Sequence, residues 1–293
     1  MRNTEKGILE YSVATIPSMH QGETPIVALL CIGDMRDFLA NALAGLLKVG
    51  FDPDRIAVGC RSSDRAIVES VVGTLPCQIQ EVPEENPRGR PEQPEYASFG
   101  STQFNDVSWM KIAFIRDLLT KHPHVIFSDL DVSWLRNPLP YLIEVARLYP
   151  IALQTECQPV FPPKVCCGFM SFTQDEAAIQ LLDLLLASDE ANLASGERVY
   201  DQLALQTIIE SDEDWLAQIF FLPETLFPVG IAHALVGGVP DPVPMEGKLE
   251  PFLFHANWTI GAMSKRDLLQ RTGTWIVSDS VEMSSDCSTV PKP

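Results

Sequence analysis

At 293 residues the chain fits one large domain or two small ones, and a hydrophobic share of 46% is ample for a core. A net charge of −18 argues against nucleic-acid backbones and anionic membrane surfaces as partners. An acidic protein that handles a phosphorylated ligand needs a local remedy: a metal ion, a few basic residues, or helix N-termini. Seven cysteines form an odd set without CxxC spacing, which suggests neither a zinc site nor a disulfide framework. Cys166 and Cys167 read as apolar strand residues rather than a redox pair. Residues 1–24 hold no apolar run long enough for a signal peptide, and no later segment offers about 18 consecutive apolar residues. The expectation is a soluble, cytoplasmic protein without membrane insertion, or a Golgi-lumenal one if an anchor has been removed.

From Pro25 the pattern alternates. Ile26 to Ile32 is a near-continuous apolar run and predicts a strand buried on both faces. Gly33-Asp34 turns it into a helix from Arg36 to Val49, ended by Gly50. Arg55 to Cys60 predicts a second strand, Asp64 to Val72 a helix ended by Gly73, and Cys77 to Val82 a third strand. These short steps imply right-handed parallel crossovers. No GxGxxG or GxxxxGK[ST] opens the first helix, so dinucleotide and P-loop readings lose their main signal. Pro83 to Pro94 reads as a long loop, a candidate flap. Asn105 or Asp106 is expected to cap a helix running to Lys121, with Val107, Met110, Phe114 and Leu118 on its apolar face.

The organising stretch follows. Val125-Ile126-Phe127 reads as a short buried strand, and Asp129 and Asp131 emerge from it. Ligands sit at the carboxyl ends of strands in α/β sheets, so chemistry belongs here. Two acids one residue apart let one grip a divalent cation while the other reaches a neighbouring group. Hard oxygen ligands suit Mg²⁺ or Mn²⁺, whose usual partners are phosphate oxygens. The alternative is a solvated strand end.

The second half predicts a helix from Leu139 to Leu148 and strands at Ile151 to Leu153 and Val165 to Phe172. Gly168 interrupts the latter where backbone passes close to a ligand. Thr173-x-x-Glu176 suggests a capping box for a helix through Leu186. Arg198 to Glu210 predicts a helix and Ile219 to Leu222 a strand. Residues 223–251 are expected to lie over the surface as loops, with Phe252 to His255 as the last strand. Ser264-x-x-Asp267 caps a short helix ended by Gly273, and the chain from Asp279 reads as a loose tail.

His255 leaves its strand followed by Asn257, Gly261 and Lys265. A histidine after an apolar strand is ordinarily structural, but these companions favour an imidazole ligand beside the aspartates. Lys265, near a helix start, suits a diphosphate held together with helix N–H groups. Asp201-Gln202, early in a helix, is either first-turn polarity or a pair pointing at a sugar. Lys111 is either a snorkelling surface lysine or a phosphate and substrate contact. Asp34 is a candidate border for a nucleotide base. His20, His122, His124 and His233 have no ligand-like spacing and read as surface or loop residues.

At these residues the sequence resembles GT-A glycosyltransferases, more narrowly the nucleotide-diphospho-sugar transferase family 77 of plant arabinosyl- and xylosyltransferases and protist galactosyltransferases. The matching pieces are Trp109-x-Lys111, Phe127-Ser128-Asp129-Leu130-Asp131-Val132-Ser133-Trp134-Leu135-Arg136-Asn137-Pro138, Cys167-Gly168-Phe169-Met170, Asp201-Gln202, and His255-Ala256-Asn257 with Gly261 and Lys265. The resemblance implies an α/β, GT-A (Rossmann-like) fold, a mixed and mostly parallel central sheet with helices on both faces. It implies one domain over 25–278, with a nucleotide-binding half (25–135), a sugar- and acceptor-side half (136–278), and flanking tails (1–24 and 279–293).

It further implies metal-dependent, retaining transfer from a nucleotide sugar, most often a UDP-sugar, to an unassigned carbohydrate, protein or small-molecule hydroxyl. Asp129 would touch ribose and sugar, and Asp131 and His255, with Asp129 beside them, would hold Mn²⁺ or Mg²⁺. Lys265, Asn257 and Gly261 would steady the phosphates, and Asp201 or Gln202 would face the reacting sugar. Two rival readings remain. Hydrophobic-strand-Asp-x-Asp also opens haloacid-dehalogenase-type phosphatases, with Asp129 as nucleophile, although the motif lies far into the chain and Asp212-Glu213-Asp214 follows a helix. A catalytically inactive nucleotide-sugar-binding module would keep the fold and lose turnover.

Overall fold

The computed structural model describes residues 24–82, 99–156, 160–197, 199–230 and 250–278. Its spine is a seven-stranded sheet. The strands, in chain order, are β1 (Ile26–Leu30), β2 (Ile56–Cys60), β3 (Gln78–Glu81), β4 (His124–Ser128), β6 (Ile151–Thr155), β7 (Val165–Thr173) and β8 (Ile219–Phe221), in spatial order β3-β2-β1-β4-β7-β6-β8. The first four are mutually parallel, and β7 runs antiparallel to both its neighbours, β4 and β6. The mixed, mostly parallel sheet is therefore as expected. Every residue of β1, β2, β4 and β6 is buried, which follows from their unbroken apolar runs being covered on both faces.

Alternate side chains of β1 feed two cores. Val27 and Leu29 join Leu39, Leu43 and Leu46 of α1 (Arg36–Lys48) and Val68 and Val72 of α2 (Arg65–Val72). Ile26 and Ala28 join Ile112 and Ile115 of α3 (Thr102–Leu118) and Leu181 and Leu185 of α5 (Glu176–Ser195) on the other face. The remaining helices are α4 (Leu139–Ala146), α6 (Asp201–Ser211) and α7 (Ala262–Arg271). Among the described residues no helix is long and apolar enough to cross a membrane.

Several boundaries differ from expectation for identifiable reasons. Helix α3 starts earlier than Asn105, because the Ser101 side chain accepts from the Phe104 N–H after Gly100 turns at φ +77°. Phe114 and Leu118 are buried as expected, but Val107 and Met110 are only half-buried, and Asn105, Ser108, Lys111, Ile112 and Ile115 also face inward. Helix α2 starts at Arg65 rather than Asp64, whose carboxylate accepts from the Gly33 N–H at 3.0 Å and ties the loops after β1 and β2 together. Asp175, not Thr173, caps α5 by accepting from the Ala177 N–H, and the helix runs on to a left-handed Gly196. Gly261 at φ +93° starts α7, ahead of Ser264.

His124 is buried in β4, with Nε2 2.6 Å from the Ser171 hydroxyl, rather than lying on the surface. Burial pushes its imidazole down to about 4. The stretch after β8 is not superficial either: Phe227 and Val229 are fully buried. Cys31, Cys60, Cys77, Cys166 and Cys167 are free thiols, with Cys166 and Cys167 in β7 as expected. The expected flap over Pro83 to Pro94, the tail from Asp279, His20 and His233 lie outside the described residues.

Candidate functional site

The strand order reverses at β1, which has β2 on one side and β4 on the other, and crevices at such switch points take ligands at the strands' carboxyl ends. Asp129 and Asp131 leave β4 at that point. The Asp129 N–H donates to the Gly168 carbonyl at 2.7 Å, anchoring the turn to β7. The chain then forms a three-residue strand not foreseen from the pattern, β5 (Val132–Trp134). β5 pairs antiparallel with β9 (Leu253–His255), with Val132 opposite His255, and the Ala256 N–H donates to the Asp131 carbonyl at 3.0 Å. A two-stranded ladder thus carries residue 255 to the aspartates.

The result is a compact donor set. One ligand atom each from Asp129, Asp131 and His255 lie within 4.8 Å of one another. His255 Nε2 is 3.4 Å from Asp131 Oδ1 and 3.9 Å from Asp129 Oδ2. Two oxygens and one imidazole nitrogen fit a Mn²⁺ or Mg²⁺ ion by chemistry and by spacing. Cations already crowd this spot, since Lys265 Nζ stands 2.7 Å from Asp131 Oδ2. Burial alone would raise the Asp131 carboxyl, but Lys265 and His255 outweigh it and hold it far below the usual carboxylate range. Asp129 is pushed upward instead, by burial and by Asp131, against the pull of Lys111. Burial opposes the charged imidazole, yet Cys166 and Asp131 together push His255 up to about 10.

Lys111 projects from α3 into the same site. Its ammonium lies 2.7 Å from Asp201 Oδ2, 3.9 Å from Asp129 Oδ1 and 5.4 Å from the centre of the Phe127 ring. Burial would strip its charge, but Asp129 and Asp201 keep it raised and protonated. The snorkelling alternative fails on this geometry, because both Lys111 and Asp201 are buried. Helix α3 also sets the start of α6: the Asp201 N–H donates to the Ser108 hydroxyl at 3.3 Å, and Trp109 Nε1 donates to the Val199 carbonyl at 3.0 Å. Lys111→Met leaves two carboxylates facing each other without a counter-charge, so it is expected to lower stability by about 3–5 kcal/mol. Equilibrium urea denaturation measures this, and adding Asp201→Asn should recover part of the loss.

Lys111, Asp129, Asp201, His255 and Lys265 line a cavity of about 440 Å³, together with Gln202, Asn257 and an aromatic wall of Phe99, Phe104, Tyr200 and Trp258, while Asp131 sits behind this lining. Phe99, Phe104 and Tyr200 pack edge-to-face, and Trp258 projects from a backbone at φ +59°. Gln202 donates to Glu156 at 3.0 Å and accepts from the Cys167 N–H at 3.4 Å. Asn257 accepts from the Gly230 N–H at 2.7 Å and donates to the Cys166 sulfur at 3.4 Å.

Asp34 does not join this group. It is exposed, paired with Arg36 at 2.7 Å, and not among the cavity's lining residues. Gly261 is likewise absent from that lining and instead begins α7, which carries Lys265. Gly168 is one of the cavity's lining residues, and the space that a side chain would take there is filled by the His255 ring.

Comparison with known proteins places this geometry in context. The sequence profile described as nucleotide-diphospho-sugar transferase matches residues 77–269. The chain belongs to the nucleotide-diphospho-sugar transferase family. A curated relative, the beta-arabinofuranosyltransferase RAY1 of Arabidopsis thaliana, is 26% identical over 200 residues, covering 63% of this chain and 36% of the relative. A second, the UDP-galactose:fucoside alpha-3-galactosyltransferase of Dictyostelium discoideum, is 20% identical over 290 residues, covering 88% of this chain and 44% of the relative. The chain therefore spans less than half the length of either.

Among solved structures, the galactosyltransferase LgtC in complex with donor and acceptor sugar analogues superposes with a TM-score of 0.57 at 9% identity, covering 86% of this chain and 97% of that one. Mouse xyloside xylosyltransferase 1 gives 0.52 at 14% identity, covering 80% and 98%. The family chain shares with them the GT-A glycosyltransferase fold.

Glu156 and Cys166 are among the cavity residues that escaped sequence reasoning, as did the aromatic wall. Glu156 follows β6 as Asp129 follows β4, so an acid at a strand's carboxyl end was an available signal. Burial raises its carboxyl, against hydrogen bonds from Gln202 and Trp258. Cys166 touches His255 Nδ1 at 3.5 Å, and nothing in its apolar setting announces that.

Proposed function

We propose that this chain is a metal-dependent, retaining glycosyltransferase that moves a sugar from a nucleotide-diphospho-sugar, of the UDP class, to an acceptor hydroxyl. The observation that carries the reading is the convergence of Asp129, Asp131 and His255 on one point at the sheet's switch crevice. Family membership supports a nucleotide-sugar donor, and the arabinosyl and galactosyl activities named for its relatives support a pentose or hexose cargo. The proposal takes residues 25–278 as one catalytic domain, soluble in whichever compartment it occupies.

Asp129, Asp131 and His255 would hold Mn²⁺ or Mg²⁺, which supplies Lewis-acid neutralisation of charge growing on the departing diphosphate. Asp129, on the open side of the set, would also reach the ribose and sugar hydroxyls. Lys265 lies 2.7 Å from Asp131, and α7 begins at Ala262 after the Gly261 turn, so its ammonium and the helix's first N–H groups would steady the phosphates with Asn257. Lys111 lies 2.7 Å from Asp201 and orients it, so that side chain would face the sugar as a fixed polar group. Gln202, held by Glu156, offers a second polar group on the same wall. The aromatic wall suits the apolar face of an acceptor and excludes water from the reacting centre.

Thermal-shift titration with UDP-sugars, with and without Mn²⁺, tests this. Stabilisation requiring both metal and one UDP-sugar is expected, and no response to any nucleotide sugar would reject the proposal.

The imidazole adds a pH signature. Its ordinary value is 6.5 and its value in the metal-free fold is about 10, so the bound proton contributes stability that is complete below 6.5 and lost as pH rises through 10. Mn²⁺ needs the neutral ring, so its affinity should rise over the same window, by up to about tenfold per pH unit. Melting curves across the lower half of that window should show the metal-free transition falling with pH while the increment from Mn²⁺ grows. Parallel curves would dissociate His255 from the metal.

A further inference from the structure

Gln154 stands outside the donor set of Asp129, Asp131 and His255, and a role for it rests on the metal-dependent reading above. Gln154 is fully buried in β6, and nothing in the strand Ile151–Thr155 requires an amide there. The β6–β7 register breaks between Leu153 and Gln154. Leu153 faces Met170, but Gln154 faces Cys166, so Cys167, Gly168 and Phe169 have no partner across β6. Irregularities of this kind re-aim side chains. Here the Gln154 amide meets the His255 ring, with Oε1 2.9 Å from Nδ1.

The orientation of that amide follows from its other neighbours. Nε2 lies 3.0 Å from the Phe227 carbonyl and 3.4 Å from the Pro228 carbonyl, both of which can only accept. The NH₂ end must therefore face them, which turns Oε1 toward the imidazole. A carbonyl oxygen can only accept, so Nδ1 must carry hydrogen. The nitrogen left to present a lone pair is Nε2, the one 3.4 Å from Asp131 and 3.9 Å from Asp129. The ring packs directly on the β7 backbone at Gly168, where an added methyl group would fall 2.7 Å from Nε2 and 2.8 Å from Nδ1.

We infer that Gln154 is a positioning residue that fixes the Nδ1–H tautomer of His255, so that Nε2 is aimed with its lone pair at the divalent-cation site formed with Asp129 and Asp131. It touches neither metal nor substrate. Partners of this kind orient and strengthen a ligating imidazole, and their loss typically weakens metal binding by about 10–100-fold.

The test uses the full chain and Mn²⁺ alone as the first probe. By calorimetric titration, Gln154→Met, which keeps the volume and removes the acceptor, is expected to weaken Mn²⁺ binding about 10–100-fold. In turnover assays with a UDP-sugar, the Mn²⁺ concentration for half-maximal rate should rise by a similar factor while the rate at saturating Mn²⁺ stays near native. Unchanged Mn²⁺ affinity in a folded Gln154→Met protein overturns the inference and leaves the proposed function standing. A native protein that binds no Mn²⁺ overturns both. Because Gln154→Met also leaves two carbonyls without their donor, the native protein provides an arm independent of folding. With ¹⁵N-labelled histidine and saturating diamagnetic Mg²⁺, the His255 resonances should report hydrogen on Nδ1 and none on Nε2. The reverse assignment refutes the positioning role even if every variant misfolds.

Discussion

Asp131→Asn is expected to abolish Mn²⁺ binding and to lower UDP-sugar turnover by about 10³-fold or more, equivalent to about 4 kcal/mol of lost transition-state stabilisation. The size of the effect follows from what the carboxylate does. It is 5% exposed, and its two oxygens face His255 at 3.4 Å and Lys265 at 2.7 Å, so it is the negative centre around which the site's cations gather. The amide keeps the volume and removes the charge. Without it, a divalent ion would lose one of its two anionic ligands, and the Lys265 ammonium would lose its near counter-charge.

The substitution also acts on the fold. Removing one partner of a buried charge cluster costs about 3–5 kcal/mol when the remaining charge has no escape. Here the imidazole can release its proton and the lysine stem can swing toward the cavity, so the loss should fall at or below the lower end of that range. Circular dichroism and urea unfolding separate the two consequences. A folded Asp131→Asn protein with near-native turnover would remove the metal from the proposed function altogether. A depressed carboxyl contributes stability above its unfolded value of about 3.9 and loses it as pH falls further. The native protein, but not this variant, should therefore show the corresponding extra loss of stability in strong acid.

How much of this was readable beforehand divides along a physical line. The strands β1, β2 and β4 were legible because each is an apolar run long enough to be buried on both faces, and Asp129 and Asp131 stood out because charge follows such a run abruptly. The inward face of α3 was not legible by the same rule. Choosing apolar residues found Phe114 and Leu118 but also selected Val107 and Met110, whereas the helix turns Asn105, Ser108 and Lys111 inward toward the cavity end. A functional helix face violates the pattern that identifies helices. His255 stood out through its companions Asn257, Gly261 and Lys265, but no local pattern states that Val132 will pair with it. Glu156 and Gln154 take their meaning from cross-strand register and from a break in that register, which depends on two segments at once. His124 was misplaced for a related reason: its partner, Ser171, lies on the neighbouring antiparallel strand.

Gly168→Ala is the sharpest test of how tightly the ring of residue 255 is held. An added methyl group would lie 2.7 Å from Nε2 and 2.8 Å from Nδ1, and nearer still to Cε1. Neither side can give way cheaply. The Gly168 carbonyl accepts from the Asp129 N–H at 2.7 Å, so moving the strand moves Asp129. The ring is held by Gln154 at 2.9 Å, and its backbone by β5. Overpacking of a rigid interior ordinarily costs about 1–3 kcal/mol, and both forms of relief degrade the donor set. The variant should therefore unfold at lower urea by that amount and bind Mn²⁺ at least about 10²-fold more weakly, since a displaced first-sphere ligand exceeds the usual cost of a lost outer partner. Serine at 168 should behave no better, because its Cβ meets the same atoms. A Gly168→Ala protein of native stability and native Mn²⁺ affinity would mean that the imidazole is not confined against β7, and the geometry that aims Nε2 at Asp129 and Asp131 would lose its basis.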